Sequence, residues 1–425
     1  MLATLKNAWK VDETRKGIIF TILMVVVLRL GHTLPIPFAN TKLIRMIYDS
    51  AQGSLLGILN MISGGGLANL SVFALGVGPY ITSSIVIQLL TFAIPALEEI
   101  SKQGEEGRKK IGQITKYLGV ALALLQAFAL VQGIFGRAFA SGGMLEKSIA
   151  ILVMVAGAQF VVWIGDLITE KGVGNGVSFI IFMGIVAGMP GTLSRMIQLS
   201  AAGRISILLP ILMVVVFLAI TVVVVYLNEG ERKIPVQYAK RVVGRKMYGG
   251  QATHIPIKVN MAGVLPVIFA SALLALPQTL ALIFGGGVAN FVEKFLTPTG
   301  WTGTIFQGIL QVVLIIFFAY FYNSITFNAY EYSRNLQQSG GFIPGIRPGK
   351  PTTDYLQKIV GRITLIGAII LAILSIIPQI VQRIFGVSLG FGGTSIIIVV
   401  GVVLEIVRTL EAKLQMRHYK GFLNR

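Results

Sequence analysis

The sequence predicts an all-α polytopic membrane protein with ten transmembrane helices in two inverted five-helix halves. Three observations predict it. The 425 residues are 54% hydrophobic and only 12% charged, far from a soluble composition. Apolar runs of spanning length recur ten times, near 18–34, 79–96, 114–135, 148–168, 177–198, 205–227, 261–284, 305–327, 359–380 and 394–410. Lys and Arg concentrate in alternate connections, as the positive-inside rule requires.

The first run is long, is followed by Pro35-Ile36-Pro37 and has no small-residue cleavage site, so it reads as the first helix rather than a cleaved signal. Arg29, one turn from its end, is expected to snorkel to the interface. The next stretch, from Ser54 to Leu97, is almost uncharged. As one helix it would run roughly 60 Å, about twice a hydrocarbon core. Gly64-Gly65-Gly66 and Gly76-Val77-Gly78-Pro79 break it into a short apolar piece and a span over 79–96. Irregular backbone at membrane depth survives only where protein buries it or it lines a cavity, so a folded element is expected inside a cavity.

The remaining spans divide around Gly203 into 1–203 and 204–425. Five spans per half put the halves in opposite orientation, the arithmetic of an inverted repeat. The second span of the second half carries Pro266 and Pro277, echoing Pro79.

Of 36 Lys and Arg, most fall in the N-terminus, the 98–116, 228–258 and 328–358 loops and the C-terminal tail, which places those segments and both termini in the cytoplasm. The +19 net charge is therefore mainly topology. The 228–258 loop alternates apolar and polar residues on both sides of Gly249-Gly250, predicting a hairpin-like projection. The 328–358 loop contains GFIPGIRPGKPT, whose Pro and Gly fix an irregular tip that presents Arg347.

Enzyme chemistry finds no foothold. With no Cys there is no disulfide or thiolate site, and His32, His254 and His418 have no ligand spacing. GIRPGKPT fails the phosphate-loop pattern at Pro344 and Pro351, and GNG at 174–176 is too short for a dinucleotide fingerprint. Charges within the spans are Arg29, Asp166, Glu405 and Arg408; the last two, at i,i+3, are expected to pair with each other. So few ionisable groups argue against a proton- or sodium-coupled carrier.

LGVGPYITSSIVIQLL, EKGVGNGVSFIIF, YAKRVVGRKMYGGQATHIPIKVNMAGVLPVIFAS, SGGFIPGIRPGKPT and FGGTSIIIVV occur in this order. Together they resemble the signature stretches of the SecY family, the central subunits of the bacterial protein-conducting channel. One departure is NAYEYSRNLQQSGG, which lacks the Asn-Pro that many members carry after the eighth helix.

The resemblance implies a clamshell around a central hourglass pore, sealed at its waist by aliphatic side chains: Val77, Ile81, Ile181, Ile268 and Ile398. Val77 and Ile81, at i,i+4, share one helix face in any case. It implies a plug, a short helix over about 55–70 including Leu55, Met61, Gly64, Gly65, Gly66 and Leu70. Few contacts and permissive glycines are expected to leave the plug free to move. A lateral gate between helices two and seven would have Thr82, Ile85 and Leu276 near its rim. Lys240, Arg241 and Arg347 would dock a motor or ribosome. Implied partners are the SecE and SecG subunits, the ATPase SecA, the ribosome, signal sequences and unfolded polypeptides, and lipid, with no cofactor; the implied location is the bacterial cytoplasmic membrane. The alternative is an inverted-repeat secondary transporter for a small solute.

Overall fold

The computed structural model describes residues 6, 8–50, 60, 63–139, 143–203, 206–238, 241–243, 246–248, 252–284, 286–297, 300–385 and 392–423. The chain opens with α1 (Asp12–Thr33) and the short α2 (Thr41–Ser50). Turns follow, then α3 (Gly78–Ala93) and α4 (Pro95–Lys102). The span expected over 79–96 ends three residues early, at Ala93, with α3 and α4 bent by 101°. Pro95 is the cause: its ring drives Ile94 into extended backbone, at φ −109° and ψ 113°.

Next come α5 (Glu105–Phe128), which relaxes into a π turn over Ala129–Ile134, and then α6 (Met144–Lys171), α7 (Gly176–Ala201) and α8 (Leu208–Glu229). After a strand region follow α9 (Leu265–Phe284), α10 (Gly286–Leu296), α11 (Trp301–Thr326), α12 (Ala329–Gln338), α13 (Lys350–Ile384) and α14 (Gly393–Leu423). Among the described residues eight helices are long and apolar enough to cross a membrane, and the bent α3–α4 pair makes a ninth. The apolar α9 occupies the remaining predicted position.

Helix neighbours repeat between the two parts of the chain. In the first, α3 packs on α5, α5 on α6, α6 on α7, and α1 on α6. In the second, α9 packs on α11, α11 on α13, α13 on α14, and α8 on α13. The parts meet mainly along two seams, α9 against α3 and the π turn after α5, and α7 against α14.

The two long loops, expected as a hairpin-like projection and a separate irregular tip, form one folded body. Strand β1 (Glu231–Tyr238) pairs antiparallel with β4 (Ala252–Lys258), Ile234 opposite Ile255. Between them β2 (Arg241–Val243) pairs with β3 (Lys246–Tyr248). Val243 opposes Lys246; Gly249-Gly250, around which the sequence alternates, lie outside the described residues. From the second loop, β5 (Gly341–Phe342) adds to β1, Gln237 opposite Phe342. Alternation buries Ile234 and Val236 on one face, where they join Ile257, Leu336, Ile343 and Leu356 in one apolar core. Asn328 starts α12 without the Asn-Pro: its side chain accepts from the Glu331 N–H at 3.3 Å.

Candidate functional site

Backbone chemistry places the first two candidates. Val77 precedes Gly78-Pro79; Pro79 sits in the first turn of α3, where its missing N–H costs nothing. The Ile81 N–H then donates to the Val77 carbonyl at 3.0 Å, stacking the two side chains one turn apart. The second part of the chain repeats the device. Val264-Leu265-Pro266-Val267-Ile268 matches Val77-Gly78-Pro79-Tyr80-Ile81 as V-x-P-x-I, and the Ile268 N–H donates to Val264 at 3.1 Å. Val264 is buried in the same apolar cluster, and the sequence reading missed it although the repeated motif was there to find.

All five aliphatic candidates fall in that one cluster: Val77 is 0% exposed, Ile81 7%, Ile181 4%, Ile268 7% and Ile398 5%. They come from α3, α7, α9 and α14, the helices that form the two seams between the parts. A surface of branched aliphatic side chains offers no hydrogen bond or charge to anything that lies against it. At the α3–α9 seam Thr82 and Ile85 are buried and Leu276 is half-buried.

Beside this waist lies the 63–77 segment, folded as linked turns. Of the residues expected in a plug, Leu55 and Met61 lie outside the described residues. Gly64 and Gly65 take positive φ, 72° and 90°, a backbone that only glycine adopts without strain. Gly66 is buried as well. Leu70 is buried, and its carbonyl accepts from the Ile36 N–H at 3.0 Å, tying the segment to the chain after α1. The Ala68 N–H donates to Asn60 Oδ1 at 2.8 Å, and Asn60 Nδ2 donates to the Tyr48 hydroxyl at 2.9 Å. Leu67 and Leu70 pack with Phe135, Phe139 and Met154. The expectation of few contacts is therefore corrected: the described part of this segment is buried and hydrogen-bonded.

Two further corrections concern charge. Arg29 does not snorkel. It turns inward, donating to the carbonyls of Gly64 at 3.2 Å and Met183 at 2.5 Å. Arg408 pairs not with Glu405 but with Glu229 on α8, at 2.8 Å, and also donates to the Asn228 carbonyl. Asp166 accepts from Lys116 at 2.6 Å.

Of the three docking candidates, Lys240 lies outside the described residues and the Arg241 backbone sits in β2 opposite Tyr248. Arg347 is exposed, on a loop with Gly345 at φ 82° and Gly349 at φ 98°. Thr352 Oγ1 donates to the Arg347 carbonyl at 2.9 Å, fixing the loop from which the guanidinium projects.

A mainly helical, polytopic membrane protein whose two parts meet over a buried apolar cluster is the class that the fold defines. The SecY family pattern matches residues 71–407, and the chain belongs to that family. The protein translocase subunit SecY of Streptomyces coelicolor is 43% identical over 100% of both chains. That of Aquifex aeolicus is 42% identical over 99% of both. The fold matches a solved structure of a protein-conducting channel at TM-score 0.70 and 19% identity, covering 94% of this chain and 92% of that one. It also matches Sec61 in the canine ribosome–channel complex of the endoplasmic reticulum, at TM-score 0.66 and 17% identity over 94% and 92%. Membership in this family sets the solute-carrier alternative aside.

Proposed function

We propose that this chain is a protein-conducting channel that passes unfolded secretory polypeptides across the bacterial cytoplasmic membrane and releases apolar segments sideways into lipid. The observation that carries it is that Val77, Ile81, Ile181, Ile268 and Ile398, from both parts of the chain, all belong to one buried apolar cluster that reaches both seams. These side chains are the waist of the pore. A translocating chain offers no common functional group, so a flexible aliphatic constriction fits many substrates while holding back ions by dewetting. The halves are 1–203 and 204–425, a division supported by the repeated helix neighbours and the two V-x-P-x-I turns. The α3–α9 seam is the lateral gate, with Thr82, Ile85 and Leu276 at its rim; apolar spans leave through it because they are more stable in lipid. The segment about 55–70 is the plug.

Energy comes from outside, through the body formed by the two long loops. SecA or a translating ribosome docks there on Lys240, Arg241 and Arg347; SecE and SecG are the neighbouring subunits; both termini are cytoplasmic. The deciding experiment reconstitutes the chain with those subunits in vesicles and follows protease protection of an unfolded secretory protein. ATP- and motor-dependent protection is the expected result. Vesicles that accumulate a small solute but protect no polypeptide overturn the reading.

A further inference from the structure

One face of α1 carries the two polar side chains that meet the 63–70 segment. Arg29 and His32, at i,i+3, share it with Val25 and Leu28, while Ile19, Leu23, Val26 and Leu30 are exposed on the other side. The His32 ring nitrogens lie 2.6 Å from the Leu28 carbonyl on its own helix and 2.7 Å from the Ser63 carbonyl. Arg29 spans two elements, with one arm on the carbonyl of Gly64 and the other on that of Met183 in α7. First helix, loop and fifth span are thus joined by two adjacent side chains.

Shape reinforces the contacts. A Cβ on Gly64 would stand 3.2 Å from both the Gly184 Cα and His32 Nε2, so the loop backbone lies directly on α7 and on the imidazole. A Cβ on Gly31 would lie 1.9 Å from the Phe73 ring, so α1 receives that ring only because position 31 is bare. Phe73 in turn meets His32 edge to face at 5.7 Å between centroids.

We infer that Arg29 and His32 are a clasp that fastens the plug segment in its closed position through its main-chain carbonyls. The inference rests on the plug reading above and adds to it the residues that hold the plug. The grip is on carbonyls, and it needs bare backbone beside it: a Cβ on Gly66 would stand 2.9 Å from the His32 ring, as one on Gly64 would stand 3.2 Å from it. Because Arg29 also grips α7, separation of α1 from α7 releases the loop.

The test uses the reconstituted channel complex, with hydrogen exchange of 63–70 and resting ion conductance as readouts. Arg29→Met keeps the length and removes the donors; it is expected to speed exchange of 63–70 about tenfold and to raise conductance, since charge-assisted bonds are lost. Arg29→Lys, a point charge that reaches one carbonyl at a time, should fall between. His32→Leu should act like Arg29→Met, and Leu30→Ala on the outward face should change nothing. Unchanged exchange in Arg29→Met and His32→Leu overturns the clasp. Should Arg29→Met fail to assemble, Arg29→Lys and His32→Leu decide in the same way. Deleting 55–70 separates the two claims: if deletion raises conductance and the clasp variants do not, the plug stands and the clasp falls. If exchange quickens in the variants but deletion leaves conductance unchanged, the fastening stands and the plug reading falls.

Discussion

Arg408 and Glu229 face each other across α14 and α8, Nη2 to Oε1 at 2.8 Å, although they stand far apart in the chain. The same guanidinium donates to the main chain at Asn228, whose side chain accepts from Asn260 at 3.0 Å. Glu229→Gln loses only a half-exposed ion pair and should cost about 0–1 kcal/mol. Arg408→Ala also orphans the carbonyl and should cost about 1–3 kcal/mol. Denaturation of the purified complex in detergent reads both, and equal costs would remove the main-chain bond from the account.

Polar replacement at the waist should make it leak. Ile81→Asn together with Ile268→Asn is expected to raise single-channel conductance in planar bilayers at rest, because a wetted constriction no longer rejects ions. Conductance equal to the parent's would mean that these side chains do not line the narrowest point.

Gly401 should tolerate nothing larger. A Cβ there would sit 2.0 Å from Val264 Cγ1. Gly401→Ala is expected to destabilise by about 1–3 kcal/mol through overpacking. Val264→Ala in the same chain should recover most of the loss, and a double-mutant cycle measures that coupling. Additive costs would show that the two positions are not in contact.

Deleting 55–70 should admit substrates with weak signal sequences, since one stabiliser of the closed state is gone. Export assays with a graded series of signals check this; strict dependence on strong signals would reduce the segment to a passive loop.

Arg347→Glu should abolish motor-driven export while assembly and membrane insertion continue. A carboxylate or carbonyl on the motor loses its charge-assisted partner and meets a like charge, at about 2–5 kcal/mol. Near-normal ATP-dependent protection in vesicles would move the contact elsewhere.

The spans were legible because lipid imposes length and polarity on the sequence; the five aliphatic positions came from family likeness, and the repeated V-x-P-x-I turn that adds Val264 went unread. What escaped was long-range. The end of α3 turned on Pro95, a backbone effect that hydropathy ignores. Arg29 and Arg408 chose carbonyls and a distant Glu229 over the interface and a near neighbour, since a charge at membrane depth goes to the partner that tertiary packing supplies. Strand β5 contributes two residues, too few for any alternation to reveal, yet it joins two loops.

That junction has a mechanical meaning. The sheet of β4, β1 and β5 is reached from α8 through Gly230, from α12 through Gly340, and leads on to α9 and α13. Every covalent root of this body thus lies in the second part of the chain. Whatever grips it takes hold of α8, α9, α11 (through α12) and α13, and has no covalent link to α1 to α7 except through the chain between α7 and α8. A pull there is delivered as a torque across the seams, and the grip acts as a one-sided handle rather than as a collar.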